Sequence, residues 1–213
     1  MRRFLVPIVI VPLAGAASGV ASGGVPFVVD QPPTEGAALA SQDFTNLPAF
    51  SCWCLDDLTI TEPMAFATLR IFGLEESADG ASLNLDVRAR ILLGPDLGST
   101  TVAALYGTQV GEDLVFDLEG LFLGAGTYWI AAQVVRPYVP SQQWLWRVSG
   151  TVNGAEAVFH NPGGGFGYGT APFPISFLED GMHDMAFRLE AVPAPGVLAA
   201  FAMAGLAARR RRT

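Results

Sequence analysis

The sequence predicts an all-β fold, an antiparallel β-sandwich of jelly-roll or immunoglobulin-like type. Three observations carry this: period-two alternation through the body, turn signals every ten residues or so, and no body segment that keeps a helical period for three turns. The clearest strand runs from Ser82 to Leu92, where Leu83, Leu85, Val87, Ala89 and Ile91 alternate with Ser82, Asn84, Asp86, Arg88 and Arg90. Leu114, Phe116 and Leu118 alternate with Val115, Asp117 and Glu119, and Met185, Phe187 and Leu189 with Asp184, Arg188 and Glu190. Residues 65–73, 100–106, 127–135, 143–149 and 156–160 alternate less cleanly, which predicts strands covered on both faces. Turns fall at Ala78-Asp79-Gly80, Gly94-Pro95-Asp96, Gly111-Glu112-Asp113, Gly124-Ala125-Gly126 and Asn153-Gly154.

Both ends of the chain read as addresses. Met1, Arg2 and Arg3 form a positive start, residues 4–14 an apolar run, and residues 17–21 a small-residue stretch, which predicts a signal peptide over 1–21 cut after Ala21. Pro7 and Pro12 disfavour a long stable helix there, which suits a removable segment. Residues 22–40, rich in Gly, Pro and Ala, read as a mobile leader, residues 41–191 as the β domain and residues 192–213 as a tail. The tail opens with Val192, Pro193, Ala194, Pro195 and Gly196, continues through twelve apolar residues to Ala208, and ends in Arg209, Arg210, Arg211 and Arg212. Twelve residues cover about 18 Å as a helix against a hydrocarbon core of about 30 Å, so the predicted membrane helix is short and depends on its flanks. Four arginines supply the cytoplasmic stop.

Charge bounds the partners. All twenty acidic residues lie between Asp30 and Glu190 against six arginines, so the body carries −14, more than the −8 of the whole chain. Nucleic acid and anionic lipid repel such a body. The chain has no lysine, which excludes Schiff-base chemistry and a phosphate-loop lysine.

The Val-Pro-x-Pro motif, short apolar run and arginine cluster resemble the PEP-CTERM sorting tail of exported bacterial proteins, with Ala194 standing where that family has Glu. The resemblance implies an exosortase-type processing enzyme as partner, transient anchoring in the cytoplasmic membrane, and a destination at the cell surface or in an extracellular polysaccharide matrix. Gln42-Asp43-Phe44, residues 126–129, Trp144-Leu145-Trp146, residues 161–167 and residues 184–189 also resemble a recurrent passenger domain of such proteins, which brings no activity with it.

Several residues could carry chemistry in the body. Trp144 and Trp146 are two apart on one strand and face one way; with Trp129 and Tyr138 they are the candidate glycan-binding residues, since flat rings stack on sugar faces. Placement in the core, where large aromatics dominate sandwiches, is the favoured alternative for the two strand tryptophans. His160 to Gly165 has the glycines of an oxyanion loop, but no Gly-x-Ser-x-Gly elbow accompanies it, so a tight-turning surface loop is expected. Cys52 and Cys54, with His160 and His183, fit no structural-zinc spacing; a short bridge or two thiols on one strand face are the alternatives. Asp56-Asp57, Glu75-Glu76-Asp79 and Glu112-Asp113 read as solvated acidic surface rather than calcium loops. With no nucleophile, base and orienter in view, no enzyme and no cofactor or metal is predicted. The sequence therefore points to an exported structural or adhesive protein, with a carbohydrate-binding module as the alternative.

Overall fold

A computed structural model describes residues 27–76 and 86–192. The predicted signal peptide, the membrane helix and the tail beyond Val192 lie outside the described residues, as does the Ser82–Leu85 part of the clearest strand. Fifteen strands follow in chain order: β1 Phe27–Gln31, β2 Pro33–Ala40, β3 Gln42–Phe44, β4 Trp53–Ile60, β5 Met64–Ile71, β6 Gly73–Glu75, β7 Asp86–Leu92, β8 Thr101–Val110, β9 Asp113–Leu123, β10 Gly126–Arg136, β11 Trp144–Ser149, β12 Val158–His160, β13 Phe173–Pro174, β14 Asp184–Met185 and β15 Phe187–Ala191. Among the described residues there is no α-helix, only short 3₁₀ turns at Pro48–Phe50 and Ile175–Phe177, and none of them forms a helix long and apolar enough to cross a membrane.

The strands build a large curled sheet in the order β1-β15-β5-β9-β8-β7-β10-β4-β12-β13, with β3 beside β10, and a four-stranded sheet centred on β11. Pairing is antiparallel throughout except between β3 and β10. Leu69, Ile71, Phe116, Ile91 and Ile130 of the large sheet and Leu39, Trp144, Trp146 and Val148 of the small one share a single buried apolar cluster, so the body is sandwich-like. The alternation predicted for residues 82–92, 114–119 and 184–190 is seen over 86–92, 114–119 and 187–190, with Val87, Ala89, Ile91, Leu114, Phe116, Leu118, Phe187 and Leu189 all inside; Asp184, expected on the polar face, is buried instead.

The sheets are joined where strands pass from one to the other. The segment β5–β6 breaks at Phe72 and β14–β15 breaks at Ala186, and these breaks meet on β11. Phe72 N donates to Ala186 O at 3.1 Å, Ala186 N to Arg147 O at 2.8 Å, and Arg147 N to Phe72 O at 2.9 Å. The Trp146 indole also donates to Ala186 O, at 2.8 Å, so that one side chain bolts the junction.

Residues 27–40 correct the expected mobile leader. β1 pairs with β15 and β2 with β11, and Val29, Ala38, Leu39 and Ala40 are buried. The residues that read as a loose leader instead pair with β11, Ala38 with Arg147, Leu39 with Trp146 and Ala40 with Leu145. Pro32, with no N–H to give a ladder, marks the point where the chain changes sheets.

Candidate functional site

The tryptophans do not form a sugar platform. Trp144 and Trp146 are fully buried between the sheets, their indoles donating to Glu112 O and Ala186 O at 2.8 Å each, which corrects their place among the candidate glycan-binding residues. Every residue of β11 but Arg147 is buried, so the strand's tryptophans are interior. Trp129 is 8% exposed and sits on the opposite, outer face of the large sheet with Trp53, Leu55, Leu92 and Val158. Tyr138 is 37% exposed beyond the end of β10, edge-on to Phe44 at 5.7 Å. The four rings therefore do not converge.

An open groove lies on the outer face of β5, β9 and β8, with a volume of about 630 Å³. Ala67, Thr68, Gly107, Thr108 and Val115 form its floor and sides, Tyr106 rises from it, Asp117 and Glu119 edge it, and Val192 closes one end. The groove follows from strand pairing. β8 and β9 are laddered only over Thr108–Val110 and Asp113–Val115; past that point β8 follows β7 and β9 follows β5, and the two strands part. Opposite β5, the register of β9 slips between Leu121 and Asp117, and Gly120 takes φ 87°. That is a bulge, which bends the strand and re-aims its side chains, here in the stretch that carries Asp117 and Glu119. Asp117 Oδ1 accepts from Glu119 N at 2.9 Å, which holds the bulge.

Among the described residues Tyr106 is the most exposed large hydrophobic side chain, at 84%. It sits between the hydroxyls of Thr68 and Thr108 and the two carboxylates. Among the described residues, neither Asp117 nor Glu119 is paired with an arginine. The described arginines are engaged elsewhere: Arg70 with Asp113, Arg88 with Asp43, Arg136 with Glu75, Arg147 with Glu112, Arg188 with Asp30, and Arg90 over the Trp53 ring at 5.3 Å. The groove thus offers a flat ring, hydroxyls and uncompensated negative charge to whatever enters it.

A second acidic region departs from expectation. Asp56 and Asp57 are buried, not solvated surface. Asp56 Oδ2 accepts from Met185 N at 2.8 Å and Gln31 Nε2 at 3.1 Å, and Oδ1 accepts from Asp57 N at 2.9 Å. Asp57 Oδ1 accepts from Ala155 N at 2.8 Å, and Asp184, also buried, accepts from Asn153 N. Burial, then the neighbouring Asp184 charge, raises the Asp56 carboxyl well above the usual range; burial likewise raises Asp57 and Asp184. Among the described residues no group of metal-ligating side chains is arranged to hold an ion.

The remaining motifs are structural in the same direct sense. Cys52 and Cys54 are unbridged and buried, their Sγ atoms 3.2 and 3.7 Å from Ala40 O, and burial pushes the Cys52 thiol up to about 12. In the glycine loop, Gly164 N, Gly165 N and Gly167 N donate to Asn161 O, Ala49 O and Gly164 O, so these amides are spent on the loop itself. Asn161 Nδ2 holds it to Ala49 O and Ser51 O at 2.9 and 2.8 Å. Of the sorting motif, Val192 alone is described; Pro193, Ala194, Pro195, Gly196 and Arg209 to Arg212 lie outside the described residues.

No family model matches the chain, and no curated protein matches it.

Proposed function

We propose that the chain is an exported cell-envelope or matrix protein with a structural or adhesive role, delivered by its C-terminal tail and processed by an exosortase-type enzyme. The body, read as a β-sandwich, works by contact rather than by reaction. The observation that supports this is the groove, where a ring 84% exposed shares the lining with two carboxylates that no described arginine neutralises. A single exposed ring is ordinary on a folded domain; its place in a groove with two carboxylates and two hydroxyls is what marks a surface for a partner. The address labels at the two ends support the export route.

The same groove favours a second reading, a carbohydrate-binding module, with Tyr106 in the role first given to the tryptophans. The ring supplies a stacking face, and Thr68, Thr108, Asp117 and Glu119 supply partners for sugar hydroxyls. Full-length protein in detergent, run through gels containing neutral and acidic polysaccharides, tests it. Retardation by one of them, lost in Tyr106→Ala, supports the carbohydrate reading; a folded wild type that runs freely through all of them ends it. Delivery is tested separately by cell fractionation, where Arg209 to Arg212 replaced by Ser should release precursor from the membrane. Unchanged retention refutes the tail as anchor.

A further inference from the structure

Val192 belongs to two things at once: it is the first residue of the sorting motif and it closes one end of the groove. It is also fixed. Its N–H donates to Ala65 O at 2.9 Å, continuing the contact of β15 with β5, so the motif starts from a laddered strand end rather than from a free tether. Four residues, Pro193 to Gly196, separate it from the apolar run. Fully extended, they span at most about 14 Å. A protein that acts on those residues, or holds the chain at the membrane beside them, therefore works within about 14 Å of Val192, which lines the same groove as Tyr106, Asp117 and Glu119.

We propose that this groove is a docking surface for the membrane protein that processes the tail, and that it takes an extended, basic segment of that partner. This rests on the sorting reading given above.

Two observations define the segment. Charge is the first: Asp117 and Glu119 line the groove with no described arginine on them, since the described arginines are engaged with other acids or a ring. A lysine- or arginine-bearing partner would supply the missing counter-charge, and its approach would be steered by a body of net −14. Backbone is the second. Where β8 and β9 part, Thr101–Gly107 of β8 is laddered to β7 alone and Phe116–Leu123 of β9 to β5 alone. In a strand every second residue directs its N–H and C=O to each side, so each strand has a row of main-chain donors and acceptors on the side of the split. Those are the groups to which an extended peptide adds, with side-chain pockets giving specificity. Tyr106 and Thr108 on one wall and Asp117 and Glu119 on the other would be those pockets. The bulge at Gly120 limits how far such a strand can run, which makes the slot short and directional.

The test is made with the full chain in cells that carry the processing enzyme, by following conversion of precursor to the shorter form on gels and by mass. Glu119→Arg and the pair Asp117→Asn with Glu119→Gln should slow conversion about tenfold, Tyr106→Ala by a similar factor, and Glu62→Gln, an exposed acid off the groove, by none. All are surface changes, and each variant's melting temperature is read first. Folded groove variants that convert at the wild-type rate overturn the proposal. A wild type that is never shortened refutes instead the sorting reading on which it stands. Loss of conversion in Glu62→Gln equal to that in the groove variants would show general acidity at work, and would also overturn it.

Discussion

Replacing Trp146 is the sharpest probe of how the two sheets are held. The side chain is fully buried and belongs to the shared core, and its indole N–H is one of two donors to Ala186 O, the other being Phe72 N at 3.1 Å. Trp146→Phe keeps most of the apolar contact and removes one hydrogen bond without orphaning the carbonyl. Its expected cost is about 1 to 2 kcal/mol, from one net hydrogen bond and a small void. Trp146→Ala removes the whole ring from the junction, at an expected cost of about 3 to 5 kcal/mol before any collapse of the site. Against a typical domain stability of about 5 to 15 kcal/mol, the first should leave a folded protein with a lower midpoint and the second a partly or wholly unfolded one. Tyr106→Ala, on the open face, should change stability by no more than about 0.5 kcal/mol. Urea titrations followed by far-ultraviolet circular dichroism measure all three. The order Ala far below Phe, with Tyr106→Ala near wild type, is expected. A Trp146→Ala protein with a wild-type midpoint would mean that the ring does not join the sheets, and the burial argument against a tryptophan sugar platform would fail with it.

The remaining predictions use the same melts. Val87→Asp puts an unpaired carboxylate in the core and should prevent folding, whereas Arg88→Gln on the other face loses only a half-exposed ion pair with Asp43 and should cost under about 1 kcal/mol; equal losses would invert the assignment of faces. A Cβ at Gly73 would fall on Glu112 O and the Trp144 indole nitrogen, the two ends of one hydrogen bond, so Gly73→Ala should destabilise by about 1 to 3 kcal/mol, and a neutral result would refute that close approach. Asp56, Asp57 and Asp184 hold their protons to higher pH in the folded protein than in the unfolded chain. Their contribution is therefore full below about pH 4 and is lost as pH rises through the folded values. His160, lowered by burial, works the other way, gaining stability as pH rises toward its ordinary value. Asp56→Asn should accordingly flatten the fall in melting temperature as pH rises from the ordinary carboxylate range, and an unchanged slope would show that this carboxyl is not the one held protonated.

The strands that could be read from sequence are those with one covered face. Leu114, Phe116 and Leu118 against Asp117 and Glu119 state their own orientation, because the solvent side is polar. β4 could not be read so. Its inward face runs Cys54, Asp56, Leu58 and Ile60 and its outward face Trp53, Leu55 and Asp57, with an acid on each, so no period of two survives. The pair Asp56-Asp57 looked like surface because the groups that satisfy it, Ala155 N, Met185 N and Gln31 Nε2, lie 25 to 129 residues away in sequence. β2 was hidden in the same way, its small residues making sense only against β11.

Tyr106, Asp117 and Glu119 were visible as members of strands, but nothing local marked them as a site. What gathers them is the parting of β8 from β9, and that is decided by two other strands. β7 holds Arg88 opposite Tyr106 and β5 holds Thr68 opposite Asp117, so each strand beside the split is held by its other neighbour. The hairpin itself, closed by a two-residue turn at Gly111-Glu112 with Gly111 at φ 65°, would by its own geometry continue the ladder past Thr108 and Val115. The parting costs ladder hydrogen bonds on both strands, and the bulge at Gly120 keeps it open. Among the described residues, the most exposed ring and Val192, the first residue of the predicted sorting motif, line one groove at the place where two strands forgo pairing. That coincidence is the ground on which the docking proposal stands.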